Sequence, residues 1–89
     1  VPWKVEYAAS AVKAMRKIEP ATRQRLRSYM EDHIAGLDDP RSHGYKLSGP
    51  LRGLWRYRVG DHRIICQIID VTEAVLVLKV GHRREVYRG

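Results

Sequence analysis

Trp3, Val5 and Tyr7 alternate with Lys4 and Glu6, the two-residue period of a strand with one buried face. From Ala8 the period lengthens. Ala8, Ala11, Val12, Met15 and Ile18 recur at helical spacing, with Lys13, Arg16 and Lys17 on the other side. Pro20 stops this helix and can open the next as its first residue. There Leu26, Met30, Ile34 and Leu37 form an apolar stripe against Arg23, Arg25, Arg27 and Glu31, and Gly36 with Asp38-Asp39-Pro40 closes the segment. Residues 40–53, rich in Pro, Gly and Ser, are predicted to be a loop. Strand-like runs follow at Leu54–Val59, His62–Asp70 and Ala74–Val80, with connections too short for anything but antiparallel neighbours. The order β-α-α-β-β-β predicts an α+β fold: a two-helix hairpin packed on one face of a mainly antiparallel sheet, in one domain across residues 1–89.

The stretch RYRVGDHR, residues 56–63, carries three arginines in eight residues. With Gly60-Asp61 as the two central residues of a tight hairpin, Val59 pairs with His62, Arg58 with Arg63, Tyr57 with Ile64 and Arg56 with Ile65. Directly opposed residues share a face, so Arg56, Arg58 and Arg63 point the same way. Trp55, Tyr57, Ile64, Cys66 and Ile68 take the other face, under the helices. Strict alternation in the last strand sends Leu76, Leu78 and Val80 to that core and Val75, Val77 and Lys79 to the arginine face, with Arg83 just beyond. Like charges directly opposed destabilise a sheet. Arg56, Arg58, Arg63, Lys79 and Arg83 together therefore read as an anion site, phosphate above all, because guanidinium donates two parallel hydrogen bonds to it.

Composition narrows the ligand. The 89 residues are 44% apolar, enough for a modest core and too many for a disordered chain. A formal charge of +7 favours nucleic acid, an acidic protein or an anionic membrane surface. No apolar run nears the length of a bilayer span and no signal peptide is visible, so no membrane partner is expected. Cys66 stands alone, which excludes an internal disulfide, fits the reducing cytosol and reads as a core residue. The four histidines lack ligand spacing, so neither a metal nor another cofactor is expected. The chain opens on Val1, which leaves open whether an initiator Met or a few residues precede it.

The elements Lys-Leu-x-Gly, Trp-Arg-x-Arg, x-Arg-Ile-Ile and Val-Gly-His-Arg-Arg occur in that order within KLSGPLRGLWRYRVGDHRIICQIID (46–70) and VLVLKVGHRREVYR (75–88). In these the chain resembles the RelE toxins of bacterial type II toxin–antitoxin systems, within the RelE/ParE superfamily. The resemblance implies a ribosome-dependent mRNA endonuclease, an mRNA interferase. Such a toxin cuts mRNA in the ribosomal A site, where the ribose 2′-hydroxyl attacks the adjacent phosphate. It also implies a cytoplasmic location, a RelB-like antitoxin that wraps the toxin in a hetero-oligomer, and the ribosome and mRNA as further partners. Carried over by motif, Arg58, Arg63, Arg83 and Tyr87 fall at catalytic positions. Lys46, Arg56, Lys79 and Arg84 are expected to be RNA contacts. The family's best-studied member has lysines at the positions of Arg56 and Arg58.

Arginine suits charge stabilisation but is a poor base or acid, since its pKa lies above about 12. The candidates for proton transfer are therefore His82, His62, Tyr87, Glu85, Asp61 and His43, with His82 and Tyr87 foremost. His82 serves only if alternation lapses at the strand end; otherwise it points to the helix face. Two alternatives remain: a ParE-like gyrase-poisoning toxin, which generally lacks these paired cations, and a non-catalytic basic RNA-binding module.

Overall fold

The computed structural model describes residues 2–87. The strand β1 (Lys4–Tyr7) leads into helices α1 (Ala9–Arg16) and α2 (Pro20–Ser28). A short strand β2 (Tyr45–Lys46) precedes β3 (Trp55–Val59), β4 (His62–Ile69) and β5 (Ala74–His82). The five strands lie in the order β1-β5-β4-β3-β2, with β1 parallel to β5 and every other pair antiparallel. Pro20 sits in the first turn of α2, where its missing N–H costs nothing. After Ser28 the helix widens into a π turn, Tyr29–Ile34, closed by the Ala35 N–H donating to the Met30 carbonyl at 3.0 Å. This keeps Leu26, Met30 and Ile34 together on the buried side.

The core lies between the helices and one sheet face. Ala11, Met15, Leu26, Met30 and Ile34 pack against Tyr57, Val59, Ile64, Cys66, Val75, Val77 and Val80. Burial pushes the Cys66 thiol up, so it stays a protonated core group. The fold class is as the pattern predicts, with two corrections. Residues 40–53 are not plain loop: they hold a 3₁₀ turn at Pro40–His43, the edge strand β2 and a second 3₁₀ turn at Gly49–Leu51. Nor does strict alternation hold along β5. Ile65 pairs with Lys79 but Cys66 pairs with Val77, so Leu78 is an extra residue, a β-bulge. Its effect is to put Val75 and Val77 in the helix-side core, not on the arginine face. Leu76 stands opposite Gln67, on the face away from the helices.

Side-chain bonds tie the layers together. The buried Tyr57 hydroxyl donates to the Pro40 carbonyl at 2.8 Å. Arg41 grips Asp70 with both terminal nitrogens, at 3.1 and 2.7 Å, and so fastens the 40–43 turn to the end of β4. Tyr7 donates to Glu31 at 2.6 Å and Arg27 donates to the same carboxylate at 3.0 Å. Among the described residues no helix is long and apolar enough to cross a membrane.

Tyr57→Phe removes a buried donor and leaves the Pro40 carbonyl unpaired; urea unfolding should show a loss of about 1–2 kcal/mol. The hydrogen bond from Tyr7, with Arg27's support, holds the Glu31 carboxyl below its usual range. A carboxyl lowered in the folded state adds stability at neutral pH that disappears as pH falls through its folded pKa. Glu31→Gln should thus be less stable than the parent at neutral pH, with the gap closing as pH drops below about 4.5, the carboxyl's ordinary value.

Candidate functional site

Gly60 has φ of +60°, while Asp61 is not left-handed, the type II′ pattern in which glycine takes the first central position. That turn sets the register, and β3 pairs with β4 as Arg58↔Arg63 and Arg56↔Ile65. Arg56, Arg58 and Arg63 therefore share the sheet face turned away from the helices. Lys79, opposite Ile65, joins them. Among the described residues none of these four cations is in an ion pair, whereas Arg27, Arg41 and Arg83 each meet a carboxylate. Glu6, opposite Leu76 on β1, also faces away from the helices, but among the described residues no carboxylate pairs with any of these four cations.

Each cation is held differently. Arg63 is 8% exposed, and its Nη1 donates to the carbonyls of Gly60 and His62, both at 2.9 Å. One nitrogen thus braces the hairpin tip, while Nε and Nη2 make no hydrogen bond among the described residues. Arg56 lies with its Cζ 4.8 Å over the Tyr45 ring and donates from Nη1 to the Tyr87 hydroxyl at 3.2 Å. Arg58 is exposed and has no protein partner among the described residues. After β5 the chain doubles back: the N–H groups of Glu85 and Val86 donate to the His82 carbonyl at 2.8 and 3.0 Å. That reversal returns Tyr87 over the arginine face. There Tyr87 and Lys79, with Ser48, Pro50 and Leu51, line a pocket of about 440 Å³. The Arg83 N–H donates to the Asp61 carbonyl at 2.7 Å, and its Nε stands 3.9 Å from the Asp61 carboxylate, so Arg83 sits at the hairpin tip.

Some predicted site residues fall elsewhere. Beyond the bulge β5 runs regularly from Lys79 through His82, which pairs with His62 across from Val59, on the helix face. His82 borders a pocket with Lys17, Thr22 and His62, and its Nδ1 accepts the Arg84 N–H at 3.2 Å. The imidazole is thus on the wrong side of the sheet from Arg58 and Arg63. Lys46 pairs with Trp55, one residue out of phase with Arg56, and does not share the arginine face. His43 faces His33 at 2.8 Å, on another part of the surface. Arg84 is exposed in the C-terminal turn.

Comparison with known proteins agrees with the fold. The family model described as ParE toxin of the type II toxin–antitoxin system parDE matches residues 5–87. The chain belongs to the RelE/ParE superfamily of type II toxins. It is 28% identical to Toxin RelG of Mycobacterium tuberculosis over 89 residues, 99% of each chain. It superposes on a chain of the RelBE2 toxin–antitoxin complex of M. tuberculosis with a TM-score of 0.85, at 25% identity, covering 96% of this chain and 95% of that one. The archaeal RelE–RelB complex of Pyrococcus horikoshii gives 0.74 at 26% identity, covering 96% and 99%.

In this RelE/ParE toxin the residue that sequence reasoning overlooked is Tyr45. It stands opposite Arg56 on the edge strand, within a segment whose composition signals only loop. A lone tyrosine before Lys-Leu-x-Gly gives no period to detect.

Arg58 and Arg63 face each other but should respond differently to truncation. Arg63→Ala removes the brace on the turn carbonyls and should cost about 1–3 kcal/mol in urea unfolding. Arg58→Ala removes only a repelling neighbour and should leave stability within about 0.5 kcal/mol.

Proposed function

We infer that the toxin is an endoribonuclease that cuts mRNA in the ribosomal A site. What carries this reading is the outer face: a set of cations that meet no carboxylate among the described residues, with the tyrosine of the C-terminal turn returned among them. The relatives named RelG and RelE support it.

The chemistry follows from what these groups do well. A phosphodiester on this face meets Arg58, the free part of the Arg63 fork and, at the tip, Arg83. Positive charge here stabilises the dianionic phosphorane as the 2′-oxygen attacks phosphorus and the bond to the 5′-oxygen breaks, giving a cyclic phosphate and a 5′-hydroxyl. The 2′ proton leaves to solvent. The Tyr87 hydroxyl accepts from Arg56 and keeps its own proton free to donate to the departing 5′-oxygen. His82, on the far side of the sheet, has no place in the proton transfer. Most of the rate then comes from geometry and charge, with the mRNA aligned by the ribosome.

The partners fit the same charge. Relatives crystallise with antitoxins. For a chain of +7 the cognate antitoxin is an acidic segment that folds as it wraps the toxin. Contact with ribosomal RNA should weaken steeply with salt. The cytoplasm, where the ribosomes are, is the site of action.

The matching family model is described as ParE, which favours gyrase poisoning as the second reading. Controlled expression followed by primer extension on cellular transcripts separates the two. In-frame cuts that stop when translation is blocked are expected, and Arg58→Ala with Arg83→Ala should lower them by at least about a hundredfold. DNA breaks with intact transcripts would establish the gyrase reading instead. RNA binding with neither kind of break would mark a non-catalytic module.

A further inference from the structure

Tyr45 lies just before the Lys-Leu-x-Gly element, outside every motif named above. It occupies the first position of the two-residue strand β2 and pairs directly with Arg56. The two side chains therefore rise from the same face, and the Arg56 Cζ lies 4.8 Å from the centre of the ring. Guanidinium stacks flat on an aromatic face because the ring's quadrupole attracts the cation. The Arg56 Nε is closed off from solvent and has no hydrogen-bond partner among the described residues, and the Tyr45 ring is the group that lies against this guanidinium. From the other end Nη1 reaches the Tyr87 hydroxyl at 3.2 Å. The guanidinium is thus fixed in two ways, and through it the Tyr87 hydroxyl has a defined direction. Tyr45 is itself 51% exposed, so the protein core does not require the ring.

We propose that Tyr45 is a positioning residue: by stacking on Arg56 it holds the Arg56–Tyr87 pair in the orientation that delivers the Tyr87 proton. It acts through Arg56 and needs no contact with RNA. Its hydroxyl is dispensable; its ring is not. The kinetic part of this proposal rests on the nuclease reading, whereas the structural part does not.

Two measurements test it separately. The first is the Nε–H resonance of Arg56 in the isotopically labelled toxin. A shielded, stacked guanidinium gives a resolved, slowly exchanging signal. Tyr45→Phe should keep that signal and Tyr45→Ala should lose it, with the backbone spectrum outside β2 and β3 unchanged. Persistence of the signal in Tyr45→Ala would overturn the proposal, whatever the toxin cuts. The second is cleavage of programmed ribosomes under single-turnover conditions. Tyr45→Ala should lower the maximal rate about tenfold and leave half-saturation within about twofold, and Tyr45→Phe should restore it. In an Arg56→Ala background, Tyr45→Ala should cost nothing further, because the group it positions is gone. An undiminished penalty there, or a rise in half-saturation alone, would make Tyr45 an RNA-stacking contact and refute the positioning role. If the parent toxin cuts no mRNA at all, the nuclease reading fails, and the resonance still decides whether Tyr45 pins Arg56.

Discussion

The register of the β3–β4 hairpin is the constraint on which the rest of this molecule depends. Side chains alternate strictly along a strand, so a slip of one residue would turn Arg56 and Arg58 into the core and Tyr57 and Val59 into solvent. Gly60 prevents that slip: only a residue at ease with φ of +60° makes this turn without strain, and the turn leaves one register for the strands that leave it. The same turn exposes the carbonyls that Arg63 grips. Opposed Arg58 and Arg63 repel each other, and the hairpin tolerates them because one is bonded to the turn and the other is in water. An anion bound between them would relieve that repulsion, so under the proposed nuclease reading the strain in the free sheet would add to the affinity for phosphate.

The bulge at Leu78 solves a second problem of parity. β5 must line the helix-side core near its start, where Val75 and Val77 pack, and again near its end with Val80. It must also send Lys79 to the opposite face beside Ile65. Val77 and Val80 are three apart, and unbroken alternation would put them on opposite faces. One extra residue brings both inward and leaves Lys79 outward. Ile65, 0% exposed although it stands on the arginine face, gives the cation cluster a dry floor. Apolar surroundings of this kind lower the local dielectric and strengthen each contact between guanidinium and phosphate.

Most of this was legible in the chain. The helical stripes, the three long strands and the Arg58–Arg63 pairing follow from periods of 3.6 and 2 and from one glycine turn, signals that span several residues each. What escaped is carried by single residues. β2 is two residues long, too short to alternate, and the bulge at Leu78 has no glycine or proline to announce it, so Val75 and Leu76 exchange places relative to strict alternation. The position of His82 was conditional on the strand staying regular past Val80, and there it does. Tyr87 reaches the site only through a chain reversal at His82, which depends on backbone bonds that no side-chain pattern encodes.

The distribution of carboxylates explains how one small basic fold can keep both a stable body and an unsatisfied face. Asp39 and Asp70 serve Arg41, Glu31 serves Arg27 and Tyr7, and Asp61 lies beside Arg83. Of these, Arg41–Asp70 holds the 40–43 turn to the end of β4 and Tyr7–Glu31 holds the helical layer to β1; the others are local to the turn, the helix and the hairpin tip. Arg56 is instead given two aromatic neighbours, and aromatic groups orient a guanidinium without neutralising it. A carboxylate in the place of Tyr45 would have fixed Arg56 equally well, but it would have competed with phosphate for the same charge. An aromatic hold supplies order and leaves the charge available, which a site that acts by electrostatic stabilisation requires.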